Sequence, residues 1–113
     1  MDAVNLVRAA EEQLEKARAA DSGRATVRLD RGPGERFRQV LVALATDRAL
    51  ADHENPGEAT VQVLRGQVRL KWGHESVVAE LGDLVTIPPE RHSLHALEDS
   101  VVLLTVSHGR VQP

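Results

Sequence analysis

The chain has 113 residues, 42% of them hydrophobic, and its 14 Lys and Arg against 17 Asp and Glu give a formal net charge of −3. That length suits one core, because separate cores usually arise only beyond roughly 200 residues. A mildly acidic chain with no Lys/Arg block argues against nucleic acid as a partner, and a chain without cysteine has no disulfide framework, thiolate nucleophile or zinc-finger spacing. The start MDAVNLVRAAEEQ carries acids where a secretory signal has a basic start and an apolar run, and no segment approaches membrane-spanning length. The expectation is therefore a cytoplasmic protein without membrane contact.

From Asp2 to about Ala20 the chain is rich in Ala, Glu, Arg and Leu. Val4, Val7, Leu14 and Ala17 fall at helical spacing, with Leu6 and Ala10 beside them, which predicts an amphipathic helix with a narrow apolar stripe. Asp2 is its expected cap and DSG at 21–23 its stop. The segment 1–22 is read as this helix and 23–113 as the body of a single domain. The stripe needs a surface to cover it, either the chain's own sheet or a second subunit.

From Ala25 the period is close to two. ATVRLD, RFRQVLVALAT and RALADH each end at Gly, Pro, Asp or Asn. In QVRLKW, Val68, Leu70 and Trp72 share one face and Gln67, Arg69 and Lys71 the other. Gly66 sits where a tight turn can need a positive φ, so ATVQVL and QVRLKW are expected to pair as a hairpin. WGHES offers a second turn with SVVAEL as its strand, and GDLVTIPPERH and EDSVVLLTVS complete the series. Eight or nine short strands with no second helix predict a sandwich or barrel. Phe37 and Trp72 are the only aromatics, so packing must rest on Val, Leu and Ala. The continuous apolar run Val101–Leu104 reads as a strand buried on both faces, with a subunit contact as one cover for it, rather than as a ligand site.

The stretch from about Leu50 to Ser107 resembles the small single-domain cupins, the RmlC-like jelly rolls. DHENPGEATVQVLRG, anchored on Gly66, is similar to the first cupin motif, and GDLVTIPPERH, anchored on Gly82, to the second. His53 takes the place of the first histidine, and Gly82 and Pro88 match at their interval. The departures are Asp47 for the leading glycine, Asn55 for the second histidine and Ala59 for the carboxylate. In the second motif Glu90 stands for a glycine, His92 falls one residue early with Ser93 in its place, and Ala96 replaces the closing asparagine. The resemblance implies an all-β, cupin-like jelly-roll barrel with an N-terminal α-helix.

Strand alternation tests the site independently. If Val61 and Val63 point inward, so does Ala59, while Glu58 points away. His53 and Asn55 share a face, as do His92, Leu94 and Ala96, leaving Ser93 and His95 opposite. Two imidazoles and a neutral amide fall short of the three protein ligands of catalytic zinc or the two histidines and carboxylate of non-haem iron. A bulge at Pro56-Gly57 that turns Glu58 inward, or an inward His95, would complete the set.

Three functional readings follow. The first is a barrel that binds a small molecule in a pocket of His53, Asn55, Val61, Val63, Leu70, Trp72 and His92, with weak metal or none. The second is a metal-dependent enzyme of dioxygenase or isomerase type, with His53 and His92 as ligands, Asn55 or His95 as a weak third, and Fe, Zn, Ni or Mn as the ion. The third is a structural or interaction module, and a homodimer is expected in all three. No catalytic residue is assigned. His74 and His108 read as solvated, Arg69 and Lys71 as a solvated sheet face that could steer an anion, and the glycines of RGPGER as a turn.

Overall fold

The computed structural model describes residues 3–30, 36–53 and 57–108. Its elements are α1 (Leu6–Ala19), β1 (Arg24–Arg28), β2 (Phe37–Leu44), β3 (Ala49–His53), β4 (Gly57–Arg65), β5 (Gln67–Trp72), β6 (Glu75–Glu80), β7 (Leu84–Ile87), β8 (His92–Ala96) and β9 (Ser100–His108). Asp2 lies outside the described residues, and the cap is Asn5, whose Oδ1 accepts from the Arg8 N–H at 2.9 Å. An Asn side chain there satisfies one of the helix's orphan donors. Lys16 and Arg18 in the last turn complement the helix dipole.

The buried helix face is Ala10, Gln13, Leu14 and Ala17, whereas Val4 and Val7 are 44% and 76% exposed. At 100° per residue a stripe centred on Ala10 and Ala17 carries Val7 to its margin, and Val4 precedes the cap. The expected stripe is therefore correct in its second half and wrong in its first.

The strands form two antiparallel sheets, one of five strands in the order β1-β2-β9-β4-β7 and one of four in the order β3-β8-β5-β6. This is a jelly roll with an N-terminal helix, as the strand pattern implies. The expected β4–β5 hairpin does not form: β4 pairs with β9 and β7, and β5 with β8 and β6. The turn at Gly66 instead passes the chain from one sheet to the other. Gly66 has φ +77, and a Cβ there would collide with the Asp99 carbonyl oxygen and Ser100 Oγ. Ser100 Oγ accepts from the Gln67 N–H at 3.0 Å and donates to the Glu98 carbonyl at 2.7 Å. The second turn is a hairpin, with Trp72 opposite Glu75 across Gly73 and His74.

Asp47, where the cupin pattern has its leading glycine, has φ +69 and is the one non-glycine residue with positive φ among those described. Aspartate tolerates that region better than most residues, so the replacement keeps the turn while the motif match is lost.

Two apolar layers result. Between the sheets lie Val42, Leu44, Ala59, Val61, Val63, Val68, Leu70, Ala79, Ile87, Leu94, Ala96 and Val102. On the outside of the five-stranded sheet, Ala10, Leu14 and Ala17 of the helix cover Leu41, Ala43, Val101 and Leu103. Residues 101–104 of β9 thus face the barrel and the helix alternately, which explains their continuous apolar run, and the helix lies on its own barrel.

Asp99 ties this end together. Its carboxylate accepts from Arg18 Nε at 2.8 Å and from the N–H and hydroxyl of Thr46 at 2.8 and 3.0 Å. The Arg18 guanidinium, then the Thr46 donors, hold that carboxyl below its ordinary range. Asp30 is held at about 2, first by Arg28 and then by the Gln39 N–H.

Candidate functional site: the open end of the barrel

The strand registers bring one set of termini together. His92 at the start of β8 lies opposite His53, the last residue of β3, and opposite Trp72, the last residue of β5. Across the barrel, Gly57 opens β4 opposite His108 of β9, and Ala59 pairs with Ile87, which ends β7. The register slips between Leu50 and His53. This extra residue in β3 keeps His53 in step with His92. The backbone thus places the two histidines of the sequence reading side by side, while Asn55 lies outside the described residues.

His92 is 4% exposed. Its ring Nδ1 lies 2.9 Å from the Glu90 carbonyl oxygen. A carbonyl only accepts, so Nδ1 donates in this contact. Gln13 and Ser100, the other buried polar side chains among the described residues, belong to the helix and the Gly66 turn, which leaves His92 as the buried polar side chain of the barrel interior among those described. Trp72 is half-buried, and its indole N–H donates to Glu75 at 2.9 Å.

Little space surrounds His92. A cavity of about 10 Å³ lies against Val42, Leu50, Val61, Leu70, Ile87, His92, Leu94, Val102 and Leu104. That is about one water's worth, against roughly 300 Å³ and upward for a small-molecule pocket. Of the residues expected to line a pocket, Val61, Leu70 and His92 do line this one. Val63 is fully buried in the core and Trp72 packs against its edge. Leu50, Ile87 and Leu94 were missed because inward residues of distant strands meet only once the two sheets close.

The described donors do not make a metal centre. Ala59 is buried at the expected carboxylate position, and Glu58 is exposed, opposite Ser107 on the outer face. His95 faces away from His92 and lies 3.6 Å from Asp47. Among the described residues no three His, Asp or Glu side chains gather as a metal would require. Neither completion considered for the ligand set, an inward Glu58 or an inward His95, occurs.

Two surface clefts flank this end. One of about 630 Å³ spans the outer face of β9, β4 and β7, where Thr105, Thr60 and Thr86 form a cross-strand row beside Glu58 and Ser107. The other, of about 180 Å³, is lined by Lys71, Trp72, Gly73, Arg91 and Ser93. No described helix is long and apolar enough to cross a membrane.

No protein-family model matches the sequence, and none of the curated proteins matches it. Among solved structures the chain is similar to a conserved Streptococcus pyogenes protein of unknown function, at 20% identity and a TM-score of 0.73 over 81% of this chain and 80% of that one. It is also similar to a cupin superfamily protein from Desulfitobacterium hafniense, at 14% identity and a TM-score of 0.70 over 76% and 78%. KdgF from Halomonas sp. gives 22% and 0.68 over 80% and 83%. At these identities the likeness concerns the backbone, and with the topology above it establishes that this chain has the fold of the small single-domain cupins.

Proposed function

We propose that the protein is a small-molecule-binding module of cupin fold whose site is the open end of the barrel around His92, and that binding needs no resident metal. The observation that carries this reading is His92 itself. A polar ring buried among aliphatic side chains is tolerated only with hydrogen bonds, and the Glu90 carbonyl orients this ring through Nδ1. With a space of only about 10 Å³ beside the ring, the deep barrel acts as scaffold, so a ligand would engage His92 and Trp72 from the mouth.

The metal-dependent alternative rests on the register of His53 with His92. Trp72 is the only tryptophan and stands opposite His92, so its fluorescence reports on this end directly. Titration of chelator-treated protein with a panel of small organic molecules should give a saturable change that His92→Leu abolishes. If only protein loaded with iron, zinc, nickel or manganese responds, the metal reading replaces this one. If a folded protein responds to nothing in either state, the mouth is not a site.

A homodimer is the expected assembly, and one feature supports it. Val7, Leu81 and Leu84 are 76%, 66% and 64% exposed, and Val7 and Leu81 line a cleft with Leu6, Ala10 and Leu64. Light scattering of wild type and Leu81→Asp/Leu84→Asp should show a dimer and a monomer. A wild-type monomer at high concentration would refute it.

A further inference from the structure

The face of the four-stranded sheet that points away from the barrel carries cations without ion-pair partners among the described residues. Val68, Leu70 and Trp72 of β5 pack inward, so Arg69 and Lys71 point outward. Lys71 is flanked by Ser76 on β6 and Ser93 on β8, and Arg69 by Val78 and His95. Neither basic residue therefore has a carboxylate as its cross-strand neighbour. Among the described residues Arg18, Arg28 and Arg65 form ion pairs, and Arg69, Lys71 and Arg91 form none. In a chain of net charge −3, cations left unpaired beside one another are an electrostatic cost that an anion would remove.

The cleft of about 180 Å³ gathers two of them: Lys71 and Arg91 line it with Ser93, Trp72 and Gly73. Two carboxylates border the cleft. Glu75 is engaged by the Trp72 indole N–H, and Glu90 stands at the rim beside Gly73, 3.9 Å from where a Cβ on Gly73 would lie. Arg91 and Trp72 also adjoin the mouth, since Arg91 precedes His92 and Trp72 is its register partner.

We propose that this cleft is an oxyanion site that takes a phosphate group, with Arg91 and Lys71 neutralising its charge and the Ser93 hydroxyl donating to a third oxygen. An arginine fork, a lysine ammonium and a hydroxyl at one small cleft match the several acceptor oxygens of a tetrahedral anion. A carboxylate offers only two oxygens and should bind more weakly. The inference extends the proposed function: it makes the mouth's ligand a phosphorylated small molecule whose organic part lies towards Trp72 and His92.

The test is a titration of isotopically labelled protein, followed by the backbone amides of Lys71, Gly73 and Ser93, the His92 ring and the Trp72 indole. Inorganic phosphate, phenyl phosphate and acetate are added at constant ionic strength. Saturable shifts at Gly73 and Ser93 are expected for both phosphates, stronger for phenyl phosphate, with the His92 ring moving only for the ester. Lys71→Met and Arg91→Met should each weaken binding roughly tenfold or more, while Arg24→Met, on an exposed arginine at the opposite end, should leave it unchanged. Non-saturating shifts shared by all variants would overturn the site. If neutral organic molecules move the His92 ring while phosphates move nothing, the oxyanion site fails and the mouth reading stands. Silence to both classes sinks the two together.

Discussion

The two ends of the barrel are built for different purposes. At the closed end, the helix, the Gly66 crossing and the β8–β9 turn are joined by hydrogen bonds with few alternatives. Asp99 receives Arg18 and two donors of Thr46, and Ser100 Oγ serves Gln67 and Glu98. At the open end the residues of interest are a buried imidazole oriented by the Glu90 carbonyl, a half-buried indole and two cations without ion-pair partners among the described residues. Stability is concentrated at one end and chemical opportunity at the other, so the mouth can change its residues without unmaking the fold.

Variants at the closed end should have the larger effects on stability. Gly66→Val imposes a β-branched residue on φ +77 and drives its Cβ into the Asp99 carbonyl and Ser100. A loss of several kcal/mol, on the order of 3 or more, is expected, enough to unfold a domain of this size at moderate temperature. Leu14→Ala removes a fully buried side chain that joins the helix to Leu41 and Leu103. It should cost about 2–5 kcal/mol in denaturant titrations, and a cost below about 1 kcal/mol would show that the helix is not part of the cooperative unit.

Asp99→Asn comes next. The residue sits at the surface, and its replacement should cost about 1–2 kcal/mol at neutral pH through lost charge-assisted hydrogen bonds. Because the folded carboxyl titrates below its unfolded value, its contribution is present above roughly pH 4 and is lost as the pH falls through the lower folded value. Asp30, at about 2, adds the same sign over roughly pH 4 to 2. Asp99→Asn should therefore flatten the acid limb of the stability curve, and an unchanged limb would show that these contacts do not set it. The smallest effect belongs to the mouth. His92→Leu exchanges the ring's polar contacts, that to the Glu90 carbonyl among them, for apolar contact with Leu50 and Leu94 and should change stability by less than about 1.5 kcal/mol in either direction. A larger loss would make His92 a structural residue and blur the contrast between the ends.

Much of the strand pattern was legible in the sequence, though not the contrast between the two ends. Period-two alternation identified the strands, the inward Val61, Leu70 and His92, and the outward Glu58 and His95. It also marked β9 as buried on both faces, but suggested a subunit contact where the helix is the cover. Two things were not legible. A glycine turn shows that the chain reverses but not which sheet the next strand joins, so Gly66 read as a hairpin when it is a crossing. The filling of the barrel depends on Leu50, Ile87 and Leu94 meeting from three separate strands, a sum that no local pattern records. The cleft of Lys71, Arg91 and Ser93 was half visible, since alternation exposed Lys71 but Arg91 arrives from the loop before β8.

The most direct test of the account is chemical-shift mapping of chelator-treated protein with a mixture of small organic phosphates and neutral molecules. Shifts confined to the open end, at Trp72, Gly73, Arg91, His92 and Ser93, are the predicted result. Shifts centred on Arg65, Gln67 and Ser100, or a response that appears only after a divalent metal is restored, would contradict it.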